Sequence, residues 1–198
     1  AALGENIILQ HLLAATPQEA MGQLAQGEAD AFAADDVVLE IGPGLGSLTL
    51  PLLAVARSVT AVEIAPVAIE KARRLAAGRG VEVNFLLADM LASDWPPDEL
   101  TGHFDWVVGI FVQFVSGAER ERQFAVMKQL TRPGGRILLQ GYTPKQLDYR
   151  TGGPSQVENL YTARFLRQAF SGWQIEELVE YEDDVAEGAA HKGRSALI

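Results

Sequence analysis

The 198-residue chain is 48% hydrophobic and holds 26 acidic against 16 basic residues, a formal net charge of −10. That size and composition predict one globular domain with a substantial core, and the acidic balance argues against a nucleic-acid partner, whose phosphates favour a basic face. Cysteine is absent and His11, His103 and His191 lack ligand-like spacing, so no disulfide, thiol nucleophile or metal site is expected.

No apolar run approaches the roughly 18 residues of a membrane helix, and no basic segment followed by an apolar one opens the chain, so no membrane partner and a cytoplasmic location are expected. The N-terminal segment reads as helix twice, over 7–14 and again after Thr16, where Pro17 suits a first helical position and Glu19 completes a capping box; residues 1–30 thus form a helical cap. Next comes a β-branched run, 37–41, that stops at Gly42-Pro43-Gly44-Leu45-Gly46 and leads into a helix over 48–56. A second strand covers 58–64 and a helix opened by Pro66 follows to Gly78. Strands at 81–87 and 104–110 come next. A helix begins after Ser116, with Glu119 closing its capping box, and is ended by Pro133-Gly134-Gly135. A fifth strand spans 136–142 and a helix spans 162–170. Runs at 174–181 and 194–198 would supply the last two strands. Strands alternating with helices signal a parallel α/β sheet, here of seven strands.

The glycine turn needs more than its spacing to be informative, because several nucleotide ligands use such turns. Gly42, Gly44 and Gly46 are followed by Ser47 where a dinucleotide-binding turn would place its third glycine, which weakens a nicotinamide or flavin reading. Glu40, two residues earlier at the strand exit, would repel a diphosphate but attract a sulfonium or ammonium. Glu63 closes the second strand 21 residues after Gly42 (63 − 42), where a carboxylate accepts ribose hydroxyl hydrogen bonds. Asp89, after the third strand, is placed to accept from an adenine amino group, with Met90 as an apolar neighbour of the ring.

Leu39-Glu40-Ile41-Gly42-Pro43-Gly44-Leu45-Gly46, Val62-Glu63, Ala88-Asp89 and Arg132-Pro133-Gly134-Gly135 resemble the successive motifs of class I S-adenosylmethionine-dependent methyltransferases. The resemblance covers residues 37–141. It implies a Rossmann-like three-layer α/β sandwich with strand order 3-2-1-4-5-7-6 and strand 7 antiparallel. It also implies S-adenosylmethionine as cofactor, S-adenosylhomocysteine as product, and a single domain over 1–198 in which 37–141 bind the cofactor and 142–198 form the acceptor side. By it, Gly42, Gly44 and Gly46 border the methionine moiety, Glu63 the ribose, Asp89 with Met90 the adenine, and Ile110 and Phe111 the reacting methyl, with Glu40, Pro43 and Ile64 counted among the cofactor-binding residues.

A narrower resemblance rests on Gly141-Tyr142-Thr143-Pro144-Lys145-Gln146-Leu147, Thr151-Gly152-Gly153-Pro154 and Ser195-Ala196-Leu197-Ile198. These strings are similar to small bacterial methyltransferases of the tellurite-resistance type, which implies a small-molecule or metalloid acceptor. Relatives tend to read Ile-Phe-Cys-His-Leu-Pro after strand four, and this chain reads Ile110-Phe111-Val112-Gln113-Phe114-Val115. The first motif also resembles ribosomal-RNA adenine dimethyltransferases, but their Asn-x-Pro-aromatic motif after strand four is absent. Displacement at an activated sulfonium carbon depends on positioning; where the acceptor must lose a proton, His191 is the candidate base and Tyr142 a candidate wall of the acceptor pocket. A cofactor-binding regulator without turnover, an RNA adenine methyltransferase and a nicotinamide-dependent dehydrogenase are the alternatives.

Overall fold

The computed structural model of the chain describes residues 32–44, 46, 48–186 and 192–198; the expected helical cap over 1–30 lies outside them. Two compact units are present. One comprises the described residues up to Gly109 together with Val126–Leu138, and the other Ile110–Ala125 with the described residues from Leu139 on.

At the centre of the first unit is β1 (Val37–Ile41), whose last four residues are all buried. A run that is buried on both faces suits the middle of a parallel sheet covered on either side. β1 pairs in parallel with β2 (Ser58–Glu63) and with β4 (Phe104–Ile110), and β2 pairs in parallel with β3 (Asn84–Leu87). With β5 (Thr131–Gln140) the five strands follow the order β3-β2-β1-β4-β5. Helix α1 (Thr49–Val55) follows the glycine turn, and α2 (Pro66–Gly78) connects β2 to β3. Pro66 suits the start of α2 because its missing N–H would have no helical acceptor there. Ile69, Ala72 and Ala76, at helical spacing on α2, pack on Ala61 and Phe85 of the sheet. Asp105 fastens the opposite end of β1: its Oδ2 accepts from the Val37 N–H at 2.8 Å, and its Oδ1 accepts from Arg132 Nε.

Helix α3 (Gly117–Leu130) precedes β5. The second unit holds α4 (Gln146–Tyr149), α5 (Ala163–Ala169) and the antiparallel pair β6 (Tyr181–Ala186) and β7 (Lys192–Leu197). The Thr162 hydroxyl accepts from the Phe165 N–H and caps α5. Phe124 packs with Tyr161, Phe165 and Phe170 at centroid separations of 5.1–5.9 Å, the range of attractive ring pairs.

The expected seven-stranded sheet is corrected: five strands form one sheet and β6 with β7 a separate two-stranded one. The reason lies where β5 ends. Beyond Gln140, Gly141 and Ile198 exchange two backbone hydrogen bonds of 2.9 Å and the Thr143 N–H donates to the Ala196 carbonyl, so β7 runs antiparallel along 141–143 and meets only an isolated bridge, Tyr142 to Leu197. The expected strand at 174–181 is corrected as well. Ile175 and Val179 there are 40% and 42% exposed, so the run has no buried face, and the strand lies instead over Tyr181–Ala186. Pro133-Gly134-Gly135, expected to break a helix and precede a strand, falls within β5.

Candidate cofactor-binding site

The carboxyl end of β1 carries Glu40, 4% exposed, followed by the glycine turn. Gly42, Gly44 and Gly46 have φ of 66°, 54° and 82°, a region closed to most side chains, which explains the alternating glycines. The Gly42 N–H donates to the Val62 carbonyl and the Gly46 N–H to the Pro43 carbonyl, at 2.9 and 2.8 Å, which fixes the turn beside β2. A Cβ on Gly44 would meet nothing within 4 Å, so space is open above that position.

Glu40 has one buried hydrogen bond, accepted by its Oε2 from the Thr49 hydroxyl at 2.6 Å. Burial penalises its charge more than this bond relieves it, and the carboxyl is pushed up to about 7. A buried carboxylate bonded to a hydroxyl, and to no cation among the described residues, is a charge that a cationic ligand would complete.

Glu63 closes β2, half-buried, and its Oε1 accepts from the Ala65 N–H at 2.9 Å, a local turn that orients the carboxylate at the strand end. Asp89 is exposed and accepts from the Leu91 N–H at 2.9 Å, while Met90, the next residue, is buried. Ile64 is 64% exposed although it is a large apolar residue, as are Val67 and Leu87 at the start of α2 and the end of β3. The ends of β1, β2 and β3 therefore hold three carboxyl groups, an open glycine turn and uncovered apolar side chains.

Ile110 ends β4, and Phe111 follows with φ 55°, rare for a bulky residue. Its ring stacks on Tyr142 at 4.5 Å and 15°. Tyr142 is 1% exposed and packs with Leu160 and Leu197, and a Cβ on Gly153 would come within 2.7 Å of its ring. The structure thus sets Tyr142, expected on an acceptor wall, inside a core. His191 lies outside the described residues.

Three residues that the sequence did not single out make buried polar contacts. Thr49, which bonds Glu40, was legible only as the first turn of a helix. Gln113 Nε2 donates to the Tyr142 and Asn159 carbonyls at 2.9 and 3.0 Å. Gln146 Nε2 donates to the Thr151 hydroxyl and the Gly152 carbonyl, and its Oε1 accepts from the Ala196 N–H. Gln146 thereby joins the three separate strings on which the narrower resemblance rests.

The fold and this arrangement of strand ends define a Rossmann-like α/β protein with a mostly parallel sheet. Residues 38–135 match the family described as "Methyltransferase domain". Residues 38–135 therefore carry a methyltransferase domain, and members of that family use S-adenosylmethionine as methyl donor. The chain is 35% identical over 109 residues to a demethylmenaquinone methyltransferase of Thermus thermophilus, covering 54% of this chain and 47% of that protein. It is 44% identical over 89 residues to a ribosomal RNA small subunit methyltransferase A of Paenarthrobacter aurescens, covering 41% of this chain and 30% of the relative. The chain thus spans less than half the length of these relatives. The N-methyltransferase NodS from Bradyrhizobium japonicum shares the fold at TM-score 0.62 and 17% identity, over 98% of this chain and 97% of that one. Among the described residues, no helix is long and apolar enough to cross a membrane.

Proposed function

We propose that this chain transfers a methyl group from S-adenosylmethionine to a small-molecule or metalloid acceptor, as small methyltransferases of the tellurite-resistance type do. The observation that carries the cofactor half is the buried Glu40 carboxylate beside an open, positive-φ glycine turn. Such a carboxylate suits a ligand bearing a sulfonium and an ammonium and opposes one bearing a diphosphate. In this reading Glu40, Gly42, Pro43, Gly44 and Gly46 hold the methionine end. Glu63 and Ile64 hold the ribose end, Asp89 and Met90 the adenine, and Ile110 with Phe111 borders the reacting carbon.

When bound, the cofactor supplies a methyl group on a positively charged sulfur, open to in-line displacement by an electron pair of the acceptor. The chain's own part is to bind and orient. Glu40 meets positive charge, Glu63 accepts hydrogen bonds from vicinal hydroxyls, and the uncovered Ile64 and Leu87 give an aromatic ring apolar contact. For acceptors that must lose a proton, His191 is assigned as the base.

The acceptor class is supported by two features. The net charge of −10 disfavours a phosphate backbone, and the segment 110–115 offers no Asn-x-Pro motif for a target adenine. Isothermal titration with S-adenosylmethionine and S-adenosylhomocysteine, followed by an acceptor screen that detects released S-adenosylhomocysteine, tests both halves. Turnover on thiol, selenium or tellurium oxyanion, or amine acceptors is expected. Turnover on ribosomal RNA alone would select the RNA reading, which the partial identity to the Paenarthrobacter enzyme favours. Cofactor binding with no methylation of any acceptor would select a regulator.

A further inference from the structure

We infer that Thr49 is a positioning residue for the cationic cofactor: its hydroxyl, donated to Glu40 Oε2, orients the carboxyl and favours the anion that the cofactor's positive charge meets. The inference rests on the cofactor reading above and adds to it one residue.

Thr49 is 1% exposed and opens α1, directly after the turn, and a Cβ on Gly46 would lie 3.6 Å from its hydroxyl oxygen. The 2.6 Å contact to Glu40 Oε2 has the length of a hydroxyl donating to a carboxylate, a bond that favours the charged form. Across the sheet Glu40 faces Ala61 of β2 and Val108 of β4, and neither carries charge. The ionisable groups of those two strands are engaged elsewhere. Asp105 is bonded to the Val37 N–H and to Arg132, and Glu63 to the Ala65 N–H. Helix α1, with sequence TLPLLAV, carries no ionisable group. Among the described residues, the hydroxyl of Thr49 is therefore the feature of the surroundings that favours the anion, and burial opposes it with the larger effect.

Two consequences follow from linkage. A group that is partly protonated near neutrality, and ionised when a cation sits beside it, must release its proton as the cation binds. Affinity then falls by about tenfold per pH unit below the carboxyl's midpoint. Removing the hydroxyl weakens the anion and moves that break to higher pH by about one unit.

The test is isothermal titration of S-adenosylmethionine between pH 5.5 and 9 into wild type, Thr49→Val, Thr49→Ser and Glu40→Gln, with thermal melting to confirm folding. In wild type, affinity should fall below the break, and buffers of different ionisation heat should count up to about one proton released per ligand. Thr49→Val should move the break upward, Thr49→Ser should restore it, and Glu40→Gln should bind weakly with no break. The ligand's own amino group titrates alike in all four proteins. A Thr49→Val profile superimposable on wild type overturns the role of Thr49, and tight wild-type binding with no proton released overturns the proton step. Failure of wild type to bind at any pH overturns the cofactor reading itself, an outcome distinct from both. Should Thr49→Val not fold, the proton count on wild type and the Thr49→Ser and Glu40→Gln profiles decide.

Discussion

Gln113 and Tyr142 are bonded in both directions: Gln113 Oε1 accepts from the Tyr142 N–H at 2.5 Å while its Nε2 donates to the Tyr142 carbonyl at 2.9 Å. The side-chain amide pairs with a peptide group as a neighbouring strand would, and its Nε2 also donates to the Asn159 carbonyl. Gln113 is 3% exposed, and the Tyr142 carbonyl also accepts from the Tyr161 N–H, so a leucine here would leave the Tyr142 N–H and the Asn159 carbonyl without this amide. Gln113→Leu is expected to cost about 2–4 kcal/mol by urea unfolding. Gln113→Glu, which keeps the acceptor and loses both donors when ionised, should also destabilise. An unchanged midpoint for Gln113→Leu would show that the amide is dispensable.

Replacing Glu63 by alanine should weaken S-adenosylmethionine binding by about 10- to 100-fold or more, because each hydrogen bond to a charged carboxylate is worth about 1.5–3 kcal/mol. Asp89→Ala should cost less, since its single expected ligand bond is made at an exposed position. Calorimetry distinguishes the two, and wild-type affinity in Glu63→Ala would remove that residue from the ribose site.

The parts of the fold that could be read from the sequence are those whose residues carry a local reason. β1 and β4 are β-branched runs buried along most of their length, and Phe104–Ile110 falls where the apolar run placed it. Glycine alternation at 42, 44 and 46 follows from positive φ, which few other residues accept. β6 could not be read because Tyr181–Ala186 is acidic and turn-like; it is a strand through pairing with β7, a tertiary cause. Gln113 was visible only as part of the segment 110–115, because its clasp on Tyr142 joins residues 29 apart in sequence. Thr49 was hidden for the opposite reason, since a threonine in a first helical turn has an ordinary local explanation.

Glu182 on β6 gathers Lys145, Tyr149 and Arg194. Lys145 donates to Oε1, the Tyr149 hydroxyl to Oε2 at 2.6 Å and Arg194 to Oε2 at 3.3 Å. The Lys145 bond, then the Tyr149 bond, hold its carboxyl down at about 2. A depressed carboxyl contributes stability above its unfolded value of 4.5 and loses it as pH falls toward about 2. The contribution is small because the site is solvated, so the measurement to make is the titration itself. By NMR, the Glu182 midpoint should lie well below 4.5 in wild type and rise in Lys145→Ala. A midpoint unaffected by Lys145→Ala would show that the ion pair does not form in solution.

Glu40 has the reverse sign, and the consequence reaches from stability to function. Its folded value of about 7 lies above the unfolded 4.5, so between these the unfolded chain has lost the proton that the folded chain keeps. Stability of the ligand-free protein should therefore decline as pH rises through this window, by about 1.4 kcal/mol per pH unit and about 3 kcal/mol in all. Glu40→Gln carries no charge and escapes that decline. Its stability relative to wild type should rise by about 3 kcal/mol between pH 4.5 and pH 8, while its affinity for S-adenosylmethionine falls. Urea unfolding without ligand at both pH values checks this, and a difference between variant and wild type that does not change with pH would contradict the burial of an ionising Glu40. The carboxylate is costly to keep in a ligand-free fold, and a residue retained at such cost is accounted for by the cation it would meet.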